Sequence, residues 1–219
     1  MKELLKLHWQ FVTNPSFCLK TYVREWPIKL GLFVFAFQLI YTIVGNSRGI
    51  SLLRDVSAYF FGINNMLFVY FLLFINLIYI VLSQYYIMPF LVGWVARVPQ
   101  NNFNHNLYRK IIFYSPSSYV IYSIIFLLPL KIVYSLFFVS GNLGMFSIVL
   151  IIIYGLLSIW PAVLIVNMVV VQWKGLKVFF NMNGGQIFLS IFVAPFVFAL
   201  PFLAIYGPQY WDFLHKYIS

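Results

Sequence analysis

The sequence predicts an all-α integral membrane protein, a bundle of five transmembrane helices with a short amphipathic N-terminal segment. Of its 219 residues, 63% are hydrophobic and only 8% are charged. Soluble domains carry about 25% charged residues, and a water-soluble globule this apolar would expose large hydrophobic patches. The apolar runs are also unbroken rather than alternating with polar residues, which favours membrane helices over the strands of a barrel.

Residues 1–26 form the predicted cytoplasmic N-terminal segment. Its first part mixes apolar and basic residues, which is typical of a short amphipathic helix on the cytoplasmic leaflet. Asn14-Pro15 is a turn signal that interrupts this helix. No long apolar run or small-residue cleavage site is present, so no removable signal peptide is expected. The residues that set the pattern are Lys2, Leu4, Leu5, Lys6, Leu7, His8 and Phe11.

Five segments then have roughly the 20 apolar residues that a helix needs to cross the hydrocarbon core. Together they form a transmembrane domain over 27–206. Only Ser140–Gly144 separate the third span from the fourth, so these two should form an antiparallel hairpin. The predicted spans are about 27–45, 66–96, 117–139, 145–172 and 186–205.

Four of the five spans contain internal proline. These residues are Pro89, Pro129, Pro161, Pro195 and Pro201. One interpretation is the ordinary tolerance of proline in membrane helices. The other is that kinks at these positions open a cavity or permit movement.

The distribution of lysine and arginine predicts the orientation of the chain. With the N-terminus inside, ten basic residues fall on the cytoplasmic side, three fall outside and Lys131 lies within a span. Cytoplasmic loops carry the excess of basic residues in membrane proteins. We therefore expect a cytoplasmic N-terminus, an external C-terminal tail over 207–219 and a location in the bacterial cytoplasmic (inner) membrane.

The net charge of +10 indicates lipid rather than nucleic acid as the partner. Anionic head groups attract each lysine or arginine near the membrane surface by about 1 kcal/mol. Two polar loops, 97–110 and 173–186, carry a predicted cytoplasmic basic surface. This surface either lies on the lipid or docks a protein partner such as another membrane protein. Its residues are Arg97, Arg109, Lys110, Lys174 and Lys177.

Catalysis needs titratable groups that can meet, and the sequence does not bring them together. It lacks the motifs of metalloproteases, P-loop proteins and α/β-hydrolases. Cys18 is the only cysteine, which excludes an internal disulfide and gives no metal site. We therefore expect a non-enzymatic protein without metal or cofactor. The separated groups are Glu3, Glu25, Asp55 and Asp212 with His8, His105 and His215.

One ionisable residue, Lys131, lies deep inside a predicted span. It is about 12 Å from the outer end of that span, at 1.5 Å per residue. It either holds an anion or lipid phosphate, or snorkels, or contacts carbonyls freed by Pro129. The asparagine and glutamine side chains within the spans either join helices by hydrogen bonds or line a polar path with Lys131. The candidates for ligand or lipid-phosphate binding are Lys131, Asn76, Gln84 and Asn167.

Three stretches of the chain resemble bacterial members of the Yip1-domain family of five-span membrane proteins. They are Asn14-Pro15-Ser16-Phe17 followed by Trp26-Pro27, Tyr108–Ser115 entering the third span, and Gln172–Lys177 after the fourth. The resemblance covers nearly the whole chain as architecture. It implies a polytopic membrane protein and supplies no catalytic residues to transfer.

The leading functional expectation is a scaffold or accessory subunit in membrane, envelope or lipid organisation. It is based on a full membrane domain with almost no embedded ionisable group. The alternative is a transport protein, namely a channel, permease subunit or lipid carrier, with a cavity near Lys131. An intramembrane enzyme would need an active site built from Lys131 and tyrosines, and no spacing in the sequence indicates one.

Overall fold

The computed structural model describes residues 2–44, 54–55, 58, 62, 65–98, 103–139 and 145–201. Every regular element in these ranges is helical, so the predicted all-α class is confirmed. The predicted hairpin loop Ser140–Gly144, the end of the fifth span and the external tail 207–219 lie outside the described residues.

Four helices are long and apolar enough to cross a membrane, which makes the chain compatible with a multi-pass protein. A fifth apolar helix, Ile28–Val44, is shorter, at 17 residues. The four long helices are Met66–Val95, His105–Val133, Gly155–Phe180 and Gly184–Pro201.

The N-terminal region contains α1 (Lys2–Thr13), α2 (Pro15–Cys18) and α3 (Ile28–Val44). Asn14 separates the first two helices, and its side-chain oxygen accepts the backbone N–H of Phe17 at 3.2 Å. Pro15 occupies the first turn of α2, where a helix does not need its N–H. A π turn, Leu19–Val23, extends α2 towards α3.

Seven helices with both ends in the described part of the chain follow α3, and residues 194–201 are also helical, after the last π turn. Asparagines cap three of them: Asn65 before α4, Asn104 before α6, and Asn183, which forms a capping box with Gln186 at α10. The helices are α4 (Met66–Leu82), α5 (Met88–Val95), α6 (His105–Tyr114), α7 (Ser117–Tyr122), α8 (Leu128–Val139), α9 (Met145–Phe180) and α10 (Gly184–Phe188).

Three stretches that the sequence indicated as loops are helical. The basic stretch Trp173–Phe180 continues α9, and His105–Lys110 opens α6. Gly184 and Gly185 lie in the first turn of α10. These stretches contain no proline, and side-chain caps at Asn104 and Asn183 satisfy backbone N–H groups at two of the helix starts. The predicted loops 97–110 and 173–186 are therefore shorter than expected.

A π turn precedes the proline in three of the long helices. At each one, a backbone N–H donates to the carbonyl five residues earlier. A proline ring clashes with the carbonyl four residues before it, and a wider turn at that point relieves the clash. The pairs are Ser83–Ile87 with Pro89, Ser123–Leu127 with Pro129, and Leu189–Val193 with Pro195.

The chain divides into two compact units. Unit 1 comprises Met1–Gln38 and Lys110–Asn181, and unit 2 comprises Leu39–Arg109 and Met182–Ser219. Within unit 1, α1 and α2 pack against α9, and α1 also packs against α7. Within unit 2, α5 packs against the π turn of the last helix.

The N-terminal segment contributes directly to the core of unit 1. Phe11, Cys18 and Leu19 are fully buried there, together with Ile111 and Val171. Phe11 was predicted as part of an amphipathic helix on the cytoplasmic leaflet, and in the structure its side chain packs inside unit 1. The α1 helix is therefore fixed on unit 1 by its own apolar face.

Two glycines in unit 1 mark close approaches between helices. A Cβ atom at Gly31 would lie 2.8 Å from the ring of Tyr114. A Cβ atom at Gly175 would lie 2.7 Å from Cγ2 of Ile111. Both distances are shorter than van der Waals contact, so α3 and α9 approach α6 closely only because these positions lack a side chain.

We predict that Gly175→Ala destabilises the protein by about 1–3 kcal/mol, because the added methyl group overlaps Ile111. Gly155→Ala in the same helix is the matched control, since no atom lies within 4 Å of its Cβ position. Thermal unfolding in detergent measures both. Equal melting temperatures for the two variants would contradict the close approach of α9 and α6.

Candidate functional site

Unit 1 encloses a set of polar side chains that we name the unit 1 polar cluster. Three helices contribute to it: α1, α7 and α9, with Ser115 from the turn before α7. A buried polar group without a hydrogen-bond partner costs about 1–3 kcal/mol. The hydrogen bonds of these side chains therefore show which contacts keep each of them in place. The cluster consists of His8, Ser115, Ser118, Asn167 and Gln172, of which all but Gln172 are buried.

His8 uses both of its ring nitrogens. Nδ1 lies 2.9 Å from the carbonyl oxygen of Ser118, and Nε2 lies 3.5 Å from Nε1 of Trp160. A carbonyl accepts hydrogen bonds and an indole N–H donates them, which assigns the proton of a neutral ring to Nδ1. Burial lowers the pKa of His8 from its usual 6.5, and the bond to Ser118 opposes this in part.

Asn167 and Gln172 join α9 to its neighbours. Asn167 Nδ2 donates to Oγ of Ser118 at 3.0 Å and to the carbonyl oxygen of Phe11 at 3.4 Å. Gln172 Nε2 donates to Oγ of Ser115 at 3.1 Å, and that hydroxyl donates to the carbonyl oxygen of Ile112 at 2.8 Å. Side chains of α9 therefore bond α1, α7 and the α6–α7 turn.

Three carbonyls that accept side-chain bonds in unit 1 lie four residues before a proline. A proline has no N–H, so the carbonyl four residues earlier loses its usual donor within a helix. In each case a side chain supplies the missing donor. The pairs are Phe11 with Asn167 before Pro15, Ile112 with Ser115 before Pro116, and Leu157 with the Tyr122 hydroxyl, at 2.9 Å, before Pro161.

Unit 2 contains the same arrangement at Pro89. The carbonyl oxygen of Tyr85, four residues earlier, accepts a hydrogen bond from Nε of Arg109 at 2.6 Å. The guanidinium group also lies 4.1 Å from the centre of the Tyr85 ring and donates to Oδ1 of Asn106 at 2.8 Å. Arg109, predicted on a basic surface, therefore has a structural role as well.

The other members of the predicted basic surface differ in their surroundings. In unit 1, Lys110 Nζ donates to the carbonyl oxygen of Arg24 at 2.7 Å, while Lys174 and Lys177 are exposed on α9. In unit 2, Arg97 is exposed just after α5 with a φ of 53°, a left-handed conformation. Lys174 and Lys177 are therefore placed so that their charges reach the surroundings of unit 1.

The four predicted ligand candidates lie in different environments. Asn76, in unit 2, is exposed and donates to the carbonyl oxygen of Leu72 in its own helix at 2.8 Å, and Gln84 is half-buried in a π turn. Lys131 is half-buried on α8. It lies about 20 Å from Ser118 along the helix axis, at 1.5 Å per residue. Asn167 alone is placed with the polar cluster, and ligand binding by the four stays a prediction.

The sequence interpretation missed His8, Ser118 and Tyr122. His8 was considered alone in a non-membrane segment, whereas its partner is 110 residues away. A usable signal was present, because each helix proline identifies a carbonyl four residues earlier that needs a donor. Pro161 in this way points to Leu157, although it does not reveal that Tyr122 supplies the bond.

Comparison with known proteins adds no further residue to this site. No protein-family model, curated protein or solved structure matches the chain. Among the described residues, no group of three or more His, Cys, Asp or Glu side chains is arranged to hold a metal ion. The chemistry that the cluster supports is therefore argued from its hydrogen bonds.

We predict that Tyr122→Phe costs about 1–3 kcal/mol, because it leaves the carbonyl of Leu157 without its donor. In a Pro161→Ala background the loss should be smaller, since residue 161 then has an N–H for that carbonyl. A double-mutant cycle on unfolding free energies measures the coupling. Tyr86→Phe, on an exposed ring, is the control. Equal losses in both backgrounds would contradict the proposed role of Pro161.

His8 should make stability depend on pH. Its pKa is lower in the folded protein than the usual 6.5, so below that pH the unfolded chain binds more protons. The free energy of unfolding should therefore fall as the pH decreases from 7 to 5, by at most about 1.4 kcal/mol per pH unit. The free energy of unfolding of His8→Gln should lack this pH dependence, whereas that of the control His105→Gln should keep it. Identical pH profiles for wild type and His8→Gln would refute the assignment.

Proposed function

We propose that the chain is a non-enzymatic, multi-pass membrane protein that acts as a scaffold or accessory subunit in membrane, envelope or lipid organisation. One observation supports this most directly: the polar groups inside unit 1 are used to join helices. His8, Asn167 and Tyr122 each bond a backbone carbonyl of another helix. Such bonds favour a fixed platform over a path for solutes.

We also propose five spans, with α3 as the first. Its 17 residues extend about 25 Å at 1.5 Å per residue, within the lower range for a membrane helix. Lys20, Arg24 and Lys29 are exposed around its start, as expected for the cytoplasmic end of a span. The bacterial inner membrane, a cytoplasmic N-terminus and membership of the Yip1-domain family complete this proposal.

The proposed partners are anionic lipid head groups on the cytoplasmic side and a membrane protein. Lys174 and Lys177 support the first, because both are exposed near the end of α9 after its long apolar stretch. Lysines at this position attract acidic lipids through their charge.

Purification after mild solubilisation tests the scaffold proposal. The tagged chain should elute from a sizing column with a membrane protein at a constant ratio, and Tyr122→Phe/Asn167→Ala should weaken that complex by loosening unit 1. The control Lys174→Gln should leave it intact. A chain that elutes alone and moves a solute across liposome membranes would overturn the proposal.

A transport protein is the second candidate, favoured by the three π turns that precede prolines in long helices. π turns frequently occur at functional sites in helices. This alternative predicts solute flux in liposomes that Lys131→Gln reduces and Lys131→Arg retains. Flux that is absent, or equal for both variants, would exclude a role for Lys131 in transport.

Thiol labelling tests the proposed orientation. Cys18 is fully buried, and burial raises its pKa to about 11, so a membrane-impermeant maleimide should not modify it at pH 7.5. Arg54→Cys should react in intact cells, whereas Lys177→Cys should react only after permeabilisation, since both positions are exposed but on opposite proposed sides. The wild-type protein gives the background level of labelling. The reverse pattern would show the opposite orientation.

A further inference from the structure

His8 is the side chain through which α1 bonds both α7 and α9. The residue is 7% exposed, with Nδ1 2.9 Å from the carbonyl oxygen of Ser118 and Nε2 3.5 Å from Nε1 of Trp160. A neutral ring donates at Nδ1 and accepts at Nε2. A proton on Nε2 would turn this acceptor into a donor that faces the indole N–H. The bond to Trp160 is therefore available to the neutral ring alone.

Unit 1 does not place a carboxylate beside His8 to stabilise a positive ring. Its sequence contains two carboxylates, Glu3 and Glu25, and both are exposed. Glu3 lies five residues before His8, which turns it by about 140° around α1. The ring of Tyr122 stacks on His8 with the centroids 5.9 Å apart. This contact attracts a cation less strongly than the burial of an unpaired charge disfavours it.

The other ionisable groups among the described side chains of α1, α2, α7 and α9 supply no negative charge near His8. The lysines of α1 are turned by about 120° and 160° from His8 around the helix, and the first lysine of α9 lies about 21 Å beyond Trp160. The remaining groups are phenols and a thiol, which are uncharged at neutral pH. A protonated His8 would therefore be a buried charge without a counter-charge. The groups are Lys2, Lys6, Lys174, Lys177, Tyr119, Tyr122 and Cys18.

Asn14 separates α1 from a part of the N-terminal segment that is anchored in the core. Its φ of −137° and ψ of 66° are not helical, and Pro15 after it has no N–H to continue α1. Beyond this joint, Cys18 and Leu19 are fully buried in unit 1. The α1 helix has only 12 residues, which makes it marginally stable when it is not packed on other helices. The joint therefore allows α1 to leave while α2 stays in place.

We infer that acid releases α1 from unit 1. A proton that binds Nε2 of His8 removes the bond to Trp160, and α1 then separates from α7 and α9 at Asn14. The buried ring of Phe11 holds α1 in place while His8 is neutral. Release uncovers the polar groups of Ser118 and Asn167, which bond α1 in the docked form. The inference concerns contacts within unit 1 alone, so it is independent of the proposed scaffold function.

Hydrogen–deuterium exchange of the full-length protein in detergent tests the release, with rates corrected for the intrinsic effect of pH. In released α1, His8 has its ordinary pKa of about 6.5. Between pH 7.5 and pH 5, the protection of the α1 amides should therefore fall by up to about 30-fold. The amides of residues 170–180, in the same unit, should keep their protection. His8→Gln should remove the pH response of α1, whereas His105→Gln should retain it.

Three results would overturn the inference. They are equal protection of α1 at the two pH values, a loss of protection that is the same in α1 and in residues 170–180, and a pH response that persists in His8→Gln. If His8→Gln fails to fold, Trp160→Phe takes its place, because it removes the N–H that only a neutral His8 can accept. Its α1 amides should be less protected at pH 7.5 and respond less to acid, and an undiminished response would also contradict the inference. Failure of the scaffold proposal would appear in the purification experiment and would leave these exchange rates unchanged.

Discussion

A backbone carbonyl that has lost its helical donor must find another one, because neither lipid nor packed apolar side chains supply hydrogen bonds. In this chain prolines create such carbonyls, and side chains from other helices bond several of them. Asn167 bonds Phe11, Tyr122 bonds Leu157 and Arg109 bonds Tyr85. These pairs are 156, 35 and 24 residues apart in the chain, so each bond joins separate elements as well as satisfying a carbonyl.

The same constraint explains why a short N-terminal helix becomes part of unit 1. Pro15 frees the carbonyl of Phe11, and Asn167 bonds that carbonyl while also bonding Ser118. His8, one turn earlier, bonds the carbonyl of Ser118 itself. With Phe11 and Cys18 in the core, the rotation of α1 about its own axis is fixed.

The long apolar helices differ in how much of their surface the protein covers. In His105–Val133, 72% of the most apolar stretch is buried, compared with 11% to 18% in the other three. A helix whose apolar surface is mostly enclosed by protein has a packing role, whereas the other three leave most of their apolar surface uncovered by the described protein. The enclosed helix includes Ser118 and Tyr122, which explains why the polar cluster forms around it.

Composition and apolar run length determined that the chain is helical and suited to a membrane, because a bilayer imposes both requirements on any sequence. They also placed Met66–Val95 and the start of α10 within a few residues. The sequence could not show that α9 continues through Phe180, since Gly175 is favourable there only because Ile111 packs directly against it. It placed Asn167 in a polar role, but the partners of Asn167, the bonded tautomer of His8 and the rotation of α1 depend on contacts between residues 49 to 156 positions apart, which only the tertiary structure brings together.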